Sequence, residues 1–585
     1  MAPTGSGKTA VALQAIMAAF RRGKKAVYTS PVKALSNQKY AEFKAWFASR
    51  NLNAGVTLLT GDIKIRAPPG TVAELIICTS EILRNKLVKM AGTAAVVADP
   101  AVAAVGLVGQ GSASTMSDND LQNLGYMPEL GELEAYTDVM YLLERGVAYH
   151  HGGMLPILRE FVELCFQQRL VKLVFATETL AVGVNMPART VVFTQLDKPN
   201  DTGKPGHRNL RPDEFWQMAG RAGRRGLDEL GYVIYSPTLS VAGLKNMASA
   251  TELREMLVGA MPAATSQLSV NRPFVLRHLA RGYGPEVLNK TLLADQLRRQ
   301  TELLQAEMAV AVVGGGGSDA LLDAARKYAK LEARLHGTSA DLIGLNPKQQ
   351  KAAQAELRQL LELHGERLIA AKSSIATTER LTAEIEINQS LLFRQWQEAL
   401  GWLGEYGFVD EAGLLTPRGR ACAAFADGHP LIIGTIIADG WLAQLSPGEI
   451  CAWLCLFLKE SRGNDISQSE LKPPEPSAAL AEVLAETDGL AEILEVELER
   501  TLMLMMLDWT THKDIKRIAV WVDSYMLGTF VKAVMRVASY IDVVKEVLLG
   551  LGAYETHNKL DNHMDLLLGG LVTNESLYLR LADGE

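Results

Sequence analysis

The run "APTGSGKT" at residues 2–9 holds residue types that bind a polyphosphate. Gly5 and Gly7 let backbone amides close around phosphate oxygens, with Thr4 and Ser6 beside them in the loop. Lys8 reaches the β and γ phosphates, and the Thr9 hydroxyl is a ligand for Mg²⁺. The loop departs from the usual pattern at its first position, where Ala2 stands for glycine. Helical spacing in "TAVALQAIMAAFRR", directly after it, separates it from an ordinary glycine-rich turn. In a second group, "QMAGRAGRRG", Gln217, Arg221 and Arg224 recur at spacings of four and three, which predicts one shared helical face. Arginines so placed reach across a cleft to a γ-phosphate and stabilise the charge that develops as it is transferred. A third run, "ATETLAVGVNMP" at 176–187, follows a short apolar stretch and sets Thr177, Thr179 and Gly183 at a strand exit, where a ligand meets a loop.

These groups need strands and helices to hold them. From Thr4 to about Val108 helical stretches alternate with β-rich runs: "KAVYTSP" and "AELIICTS" read as short buried strands, with "KALSNQKYAEFKAWF" as an amphipathic helix between them. That alternation predicts a parallel α/β sheet over 1–108. Residues 109–127 begin with the small polar run "GQGSASTMSDND" and read as a junction or linker. A second α/β unit is expected over 128–240, from "GVAYHH", "ILREFVELCFQQ", "LVKLVFAT", "RTVVFTQL" and "GYVIYSP". Beyond it the chain is mainly helical. His150 and His151 are adjacent, so on a strand they point opposite ways and cannot share a metal.

A chain of 585 residues, 48% hydrophobic and 21% charged, is long enough for about three or four domains. The net charge of -7 excludes a uniformly basic surface, so any nucleic-acid contact must come from a local basic groove. The five cysteines have no paired metal spacing, and Cys451 and Cys455 stand one helical turn apart in an apolar run. Buried thiols in a reducing compartment are expected. There is no secretory leader pattern and no apolar run of about 18 residues or more, so the expectation is a soluble intracellular protein without membrane contact.

Taken in order, "APTGSGKT", "TSPVKALSNQKY", "TSEIL", "HHGGMLP", "ATETLAVGVNMP" and "QMAGRAGRRGLD" resemble the consecutive motifs of the superkiller-type DExH-box RNA helicases. The resemblance implies tandem RecA-like domains, both incomplete here, with ATP and Mg²⁺ between them and single-stranded RNA across their top. It implies that Thr4 to Thr9, Gly183, Gln217, Arg221 and Arg224 serve ATP, with Thr9 on the metal. Pro31, Lys33, Thr60, Gly61, Thr79 and Thr177 would then lie along the RNA backbone. It extends to a winged-helix-like segment over 241–300, to the family's C-terminal helical domain over 386–585, and to the RNA exosome or its adaptors as partners in nucleus or cytoplasm. Between those segments, 301–385 reads as two long helices, a hairpin or stalk, joined at "GGGG". This is too short for the arch insertion of exosome-associated members. Near the C-terminus Phe530, Val534, Val537, Ile541, Val544 and Leu548 step by four and three as a core face. Lys532 and Arg536 share another face, which the resemblance places under the RNA.

One part of the family pattern is missing. Such a motor needs Asp-Glu-x-His at a strand end, to hold Mg²⁺ through water and to polarise the attacking water. The Asp-Glu pairs present, Asp213-Glu214, Asp228-Glu229 and Asp410-Glu411, are followed by other residues, and the one Ser-Ala-Thr, Ser249-Ala250-Thr251, falls after the arginine group and so out of order. The break at "GQGSASTMSDND" is read as the place where a block spanning the end of the first domain and the start of the second is absent. A longer helicase read incompletely is the expectation, with a non-catalytic RNA-binding or scaffold protein as the alternative and a related DNA repair helicase as a further rival.

Overall fold

Helix α1 (Lys8–Arg21) packs Ala12 and Ile16 onto a four-stranded sheet of β1 (Ala26–Ser30), β2 (Ala54–Leu59), β3 (Lys64–Ile65) and β4 (Ala73–Thr79). Its strand order is β1-β4-β2-β3, parallel except for β3, and α2 (Lys33–Ala48) crosses over between β1 and β2. Tyr40, Phe43 and Phe47 recur at three and four along α2 and meet Tyr28, Leu58, Leu75 and Ile77 in one core. The computed structural model describes residues 8–30, 33–60, 63–79, 82–83, 127–178, 180, 188–200, 206–223, 228–237, 248–262, 266, 268–314, 318–335, 347–458, 474–522, 524–573 and 576–579. The junction at 109–127 therefore lies almost wholly outside them. Two compact units result, Met1–Ala263 with Arg420–Glu585, and Ala264–Gly419.

The second α/β region of the larger unit runs α3 (Glu134–Leu143), β5 (Val147–His150), α4 (Pro156–Gln167), β6 (Leu173–Ala176), β7 (Thr190–Phe193), β8 (Asp197–Pro199), β9 (His207–Asn209), α5 (Pro212–Ala219), β10 (Tyr232–Tyr235) and α6 (Ala250–Val258). Among the described residues its strands pair two by two: β5 with β6 and β7 with β10 in parallel, β8 with β9 antiparallel. Parallel strands are normally covered on both faces. Here Phe175 of β6 is 61% exposed and Ile234 of β10 is 48% exposed, so apolar strand faces meet solvent.

The smaller unit is helical: α7 (Arg272–Leu279), a 3-10 turn (Pro285–Lys290), α8 (Leu292–Gly314), α9 (Asp319–Leu335), α10 (Pro347–His364) and α11 (Glu366–Glu405). Where two long helices are expected over 301–385, parts of four are found. Gly365, at φ 57, breaks the helical run between α10 and α11 without any proline or run of small polar residues beside it. The 40-residue α11 is the spine, with Leu368, Leu381, Trp396 and Leu403 buried along it, and Phe274 of α7 meets Trp396 edge-on at 6.4 Å.

In the larger unit the C-terminal part adds α12 (Pro430–Ala438), α13 (Pro447–Cys455), α14 (Ala478–Ile493), α15 (Arg500–His512) and α16 (Leu527–Gly550). Helix α13 is apolar over most of its surface and accordingly central, with Cys451 and Cys455 fully enclosed. All five cysteines are buried free thiols, and burial pushes the Cys451 thiol up to about 12. The expected core face of α16, from Phe530 to Leu548, is buried throughout. This core does not stop at the helices, because Leu158 and Val162 of α4 belong to the same cluster as Ile436, Trp453 and Val534. Among the described residues no helix is long and apolar enough to cross a membrane.

The junction between these parts depends on one glycine. The Gly528 amide donates to the Gly153 carbonyl at 2.8 Å, and a Cβ added at Gly528 would stand 1.8 Å from the Met154 carbonyl oxygen. Gly528→Ala should therefore cost roughly 1 to 3 kcal/mol by forcing α16 off its seat. Gly550, with nothing within 4 Å of an added Cβ, is the control. There Gly→Ala should be neutral or stabilising by up to about 1 kcal/mol, and urea denaturation of both variants checks the contrast.

Candidate nucleotide and nucleic-acid site

Helix α1 is described from Lys8, the residue that follows the glycine-rich run in the sequence, and the positive end of its dipole lies toward that end. No acidic side chain sits in its first turn to compete for an anion. The Thr9 hydroxyl oxygen is buried and has no hydrogen-bond partner among the described residues. That orphaned oxygen beside a helix N-terminus fits a phosphate-bound divalent cation. Thr4, Gly5, Ser6, Gly7 and the Lys8 side chain lie outside the described residues, as do Gly183 and Arg224.

The arginine group departs from expectation. Helix α5 ends at Ala219, so Gln217 is on the helix and exposed, while Arg221 lies in the turn beyond it and the two do not share a helical face. The helix stops because the next backbone groups pair elsewhere. Ala188 N donates to the Arg221 carbonyl at 2.9 Å, and Gly223 N donates to the Ala188 carbonyl at 2.8 Å. Gly223 has φ 86, and a Cβ on Gly231 would stand 2.6 Å from Gly223 N, so this crossing requires both glycines. Burial pushes the Arg221 guanidinium below its usual value. A cation held in a low-dielectric setting attracts an anion more strongly than one in water.

Glu214 anchors the start of α5, a role the sequence reading passes over when it sets the Asp213-Glu214 pair aside. Its carboxylate accepts from Arg208 at 2.8 and 2.7 Å, from Arg211 N at 2.9 Å and from Lys198 Nζ at 3.3 Å. The Arg208 hydrogen bonds above all hold its pKa down to about 2. Pro212 at the first helical position, with two acids behind it, is the sequence signal of such a start. The misplaced Ser249-Ala250-Thr251 also has a local role. Ser249 caps α6, its Oγ accepting from Glu252 N at 3.3 Å and its amide donating to Glu252 Oε2 at 2.7 Å.

On the expected RNA side, Lys33, Thr60 and Thr79 stand at the C-terminal end of the parallel strands of the first sheet, with Ser30 in register with Thr79. Lys33 is exposed. Thr60 and Thr79 are buried, and the Thr60 Oγ1 accepts from Ile63 N at 3.1 Å to close the β2–β3 turn. Pro31 and Gly61 lie outside the described residues. Thr177 is exposed after β6, its amide donating to the His150 carbonyl at 3.2 Å. On α16, Lys532 Nζ donates to the Gly152 carbonyl, and Arg536 pairs with Asp427 at 2.8 Å. The adjacent histidines separate as expected. His150 is buried with Nε2 at 2.8 Å from Glu163 Oε1, while His151 stacks on Tyr149. Among the described residues no group of three or more His, Cys, Asp or Glu is placed to hold a metal ion.

Three family models match the chain in succession: DEAD/DEAH box helicase over residues 1–101, Helicase conserved C-terminal domain over 126–226, and DSHCT (NUC185) domain over 412–574. The antiviral helicase SKI2 of Saccharomyces cerevisiae is 50% identical over 116 residues, 19% of this chain and 9% of that protein. Superkiller complex protein 2 of Homo sapiens is 47% identical over 138 residues, 24% of this chain and 10% of that protein. The exosome RNA helicase MTR4 of Mus musculus is 50% identical over 116 residues, 19% of this chain and 11% of that protein. The matched stretch thus spans about a tenth of the length of these relatives.

The Glu214 anchor yields a pH test. Glu214→Gln should lower stability by roughly 1.5 to 3 kcal/mol at neutral pH, the range for hydrogen bonds to a charged group. Because the folded pKa is depressed, this advantage of the native carboxylate is full above the ordinary carboxylate range and fades as pH falls toward about 2. Urea midpoints for both proteins across that window should converge at its acid end.

Proposed function

Because the chain belongs to the superkiller-type DExH-box RNA helicase family, we propose that it is an ATP-dependent RNA helicase that moves 3′ to 5′ along single-stranded RNA in RNA processing or decay. The observation that carries the reading is at the N-terminal end of α1, where Lys8 follows the glycine-rich run in the sequence and the buried Thr9 hydroxyl has no partner among the described residues. Thr4 to Lys8 would hold the phosphates of ATP and Thr9 would bind Mg²⁺, with Gly183 against the nucleotide. Mg²⁺, when bound, neutralises charge on the β and γ oxygens. Gln217, Arg221 and Arg224 would act from the second α/β region, Arg221 with its field strengthened by burial.

For RNA, Pro31, Lys33, Thr60, Gly61, Thr79 and Thr177 would line the backbone path, the buried threonines through main-chain groups. Arg536 is the better phosphate ligand on α16, since its pairing with Asp427 is half exposed and easily exchanged, whereas Lys532 is engaged by Gly152. Residues 241–300 would serve as the winged-helix-like connector and 301–385 as a helical stalk. By extension from relatives, the RNA exosome or its adaptors in nucleus or cytoplasm would be the partners.

A second reading rests on a specific observation: no Asp-Glu-x-His occurs in the sequence, and Ser249-Ala250-Thr251 is occupied in capping a helix. The chain as it stands would then bind ATP and RNA as a pseudohelicase, and hydrolysis would belong to a longer form.

The test compares this chain with one carrying, between residues 108 and 128, a relative's segment with both missing motifs. RNA-stimulated ATP hydrolysis near background in the first and restored in the second is the expected result. Equal rates would mean that other residues supply the acid. Lys8→Ala should weaken ATP binding by about 1.5 to 3 kcal/mol, and unchanged affinity would remove the loop from the reading. Arg536→Ala should reduce the salt dependence of RNA affinity by roughly one unit of slope.

A further inference from the structure

Glu160 and Glu163 stand one turn apart on α4, both buried. Two carboxylates enclosed so near each other need hydrogen-bond donors, because an uncompensated buried charge is strongly unfavourable. Most of those donors come from the far end of the chain. Ser576 Oγ donates to both Glu160 oxygens, at 3.1 and 3.0 Å, and Leu577 N donates to Oε2 at 2.7 Å. Tyr578 OH donates to Glu163 Oε2 at 2.8 Å, and the other Glu163 oxygen faces His150 Nε2 at 2.8 Å. Ser576, Leu577 and Tyr578 are themselves buried, and Leu579 packs against the core of the first α/β sheet.

We propose that Ser576–Leu579 is a clasp, which satisfies the Glu160–Glu163 pair, fixes the His150 end of β5, and ties the second α/β region to the first. It grips the strand end from which residues 151–154 lead to the seat of α16. The Gly528 contact holds those residues from one side, and the clasp holds the strand behind them. The side chains that form the clasp are none of those proposed for nucleotide or RNA, although the Thr177 amide reaches the His150 carbonyl beside it.

The network also has a pH sense. Glu160 is pushed up to about 7, first by burial and then by the charge of Glu163, against the Leu577 amide, the Ser576 hydroxyl and Arg159. Tyr578, Gln167 and His150 reach it only through Glu163 and its surroundings. A carboxyl whose folded pKa is raised contributes its stability below the ordinary range and loses it as pH rises through the folded value. The stability that enclosed Glu160 carries is therefore full below the ordinary carboxylate range, falls as pH rises from there and is gone by about 7.

The experiment is hydrogen exchange, read by mass spectrometry on the full chain, on a chain ending at residue 573, and on full-length Tyr578→Phe and Glu160→Gln. The shortened chain should exchange at least about tenfold faster over 147–167, with 430–455 unchanged as the internal reference. A synthetic peptide of residues 570–585 should restore protection, and the same peptide with Ser576→Ala and Tyr578→Phe should not. Unchanged exchange over 147–167 overturns the proposal. If shortening exposes 430–455 as well, the point variants decide: faster exchange confined to 147–167 in Tyr578→Phe supports the clasp, and wild-type exchange overturns it. In the wild type, after correction for intrinsic rates, protection of 147–167 should fall from pH 5 to pH 8, and Glu160→Gln should abolish that trend.

Discussion

The missing side chain at Gly528 lets a helix and a loop touch through their backbones, and the rest of the larger unit follows from that contact. With the Gly528 amide on the Gly153 carbonyl, α16 lies close enough for its buried face to join α4 and the helices around α13 in one core. The β5–α4 part of the second α/β region therefore shares its core with the C-terminal helices. The first sheet, by contrast, has a core of its own, built from α1, α2 and its strands. A chain that reads as motor followed by helical domain has its core divided elsewhere, between the first sheet and everything that packs on α16.

Charge is spent where it positions backbone. Glu214 gathers Arg208, Arg211 and Lys198 at the start of α5, and buried Asp508 holds Arg517 and the Trp521 indole between α15 and the following turn of helix. These groups are at least partly enclosed, so losing one partner strands another. The exposed pairs, such as Arg536 with Asp427 and Lys64 with Asp542, contribute little to stability and are the ones free to exchange partners. The same division separates a structural Lys532 from an available Arg536 on one helix.

What the sequence makes legible is what local periodicity encodes. The strands "AVYTS" and "AELIICT", the α16 core face and the buried thiols all follow from apolar residues at a period of two or between three and four. Strand β2, "AGVTLL", went unread because its β-branched residues are diluted by alanine and glycine. The end of α5 is hidden for a different reason: the spacing of Gln217, Arg221 and Arg224 is helical, but pairing of the Arg221 carbonyl and the Gly223 amide with Ala188 overrides it. Contacts across the length of the chain, such as Glu160 with Ser576 or Lys532 with Gly152, leave no periodic trace at all.

The isolated strand pairs explain why those long-range contacts matter. Two parallel strands by themselves are marginal, and β5–β6 and β7–β10 each stand as such a pair with apolar faces open. A complete parallel sheet would brace each strand with neighbours on both sides. Here β5 pairs with β6, and among the described residues it is also supported by α3 and α4, by the α16 seat at residues 151–154, and by Tyr578 through Glu163 and His150. The β7–β10 pair has its own small core around Phe193, Phe215 and Met256 and lacks that help. Stability in the second α/β region should therefore be graded, highest at β5 where the C-terminal helices and tail converge and lowest at β10, where four successive residues from Tyr232 to Tyr235 have three exposed side chains. Gln217 and Arg221, two of the residues proposed for nucleotide chemistry, stand on the weaker side of that gradient, where local opening costs least.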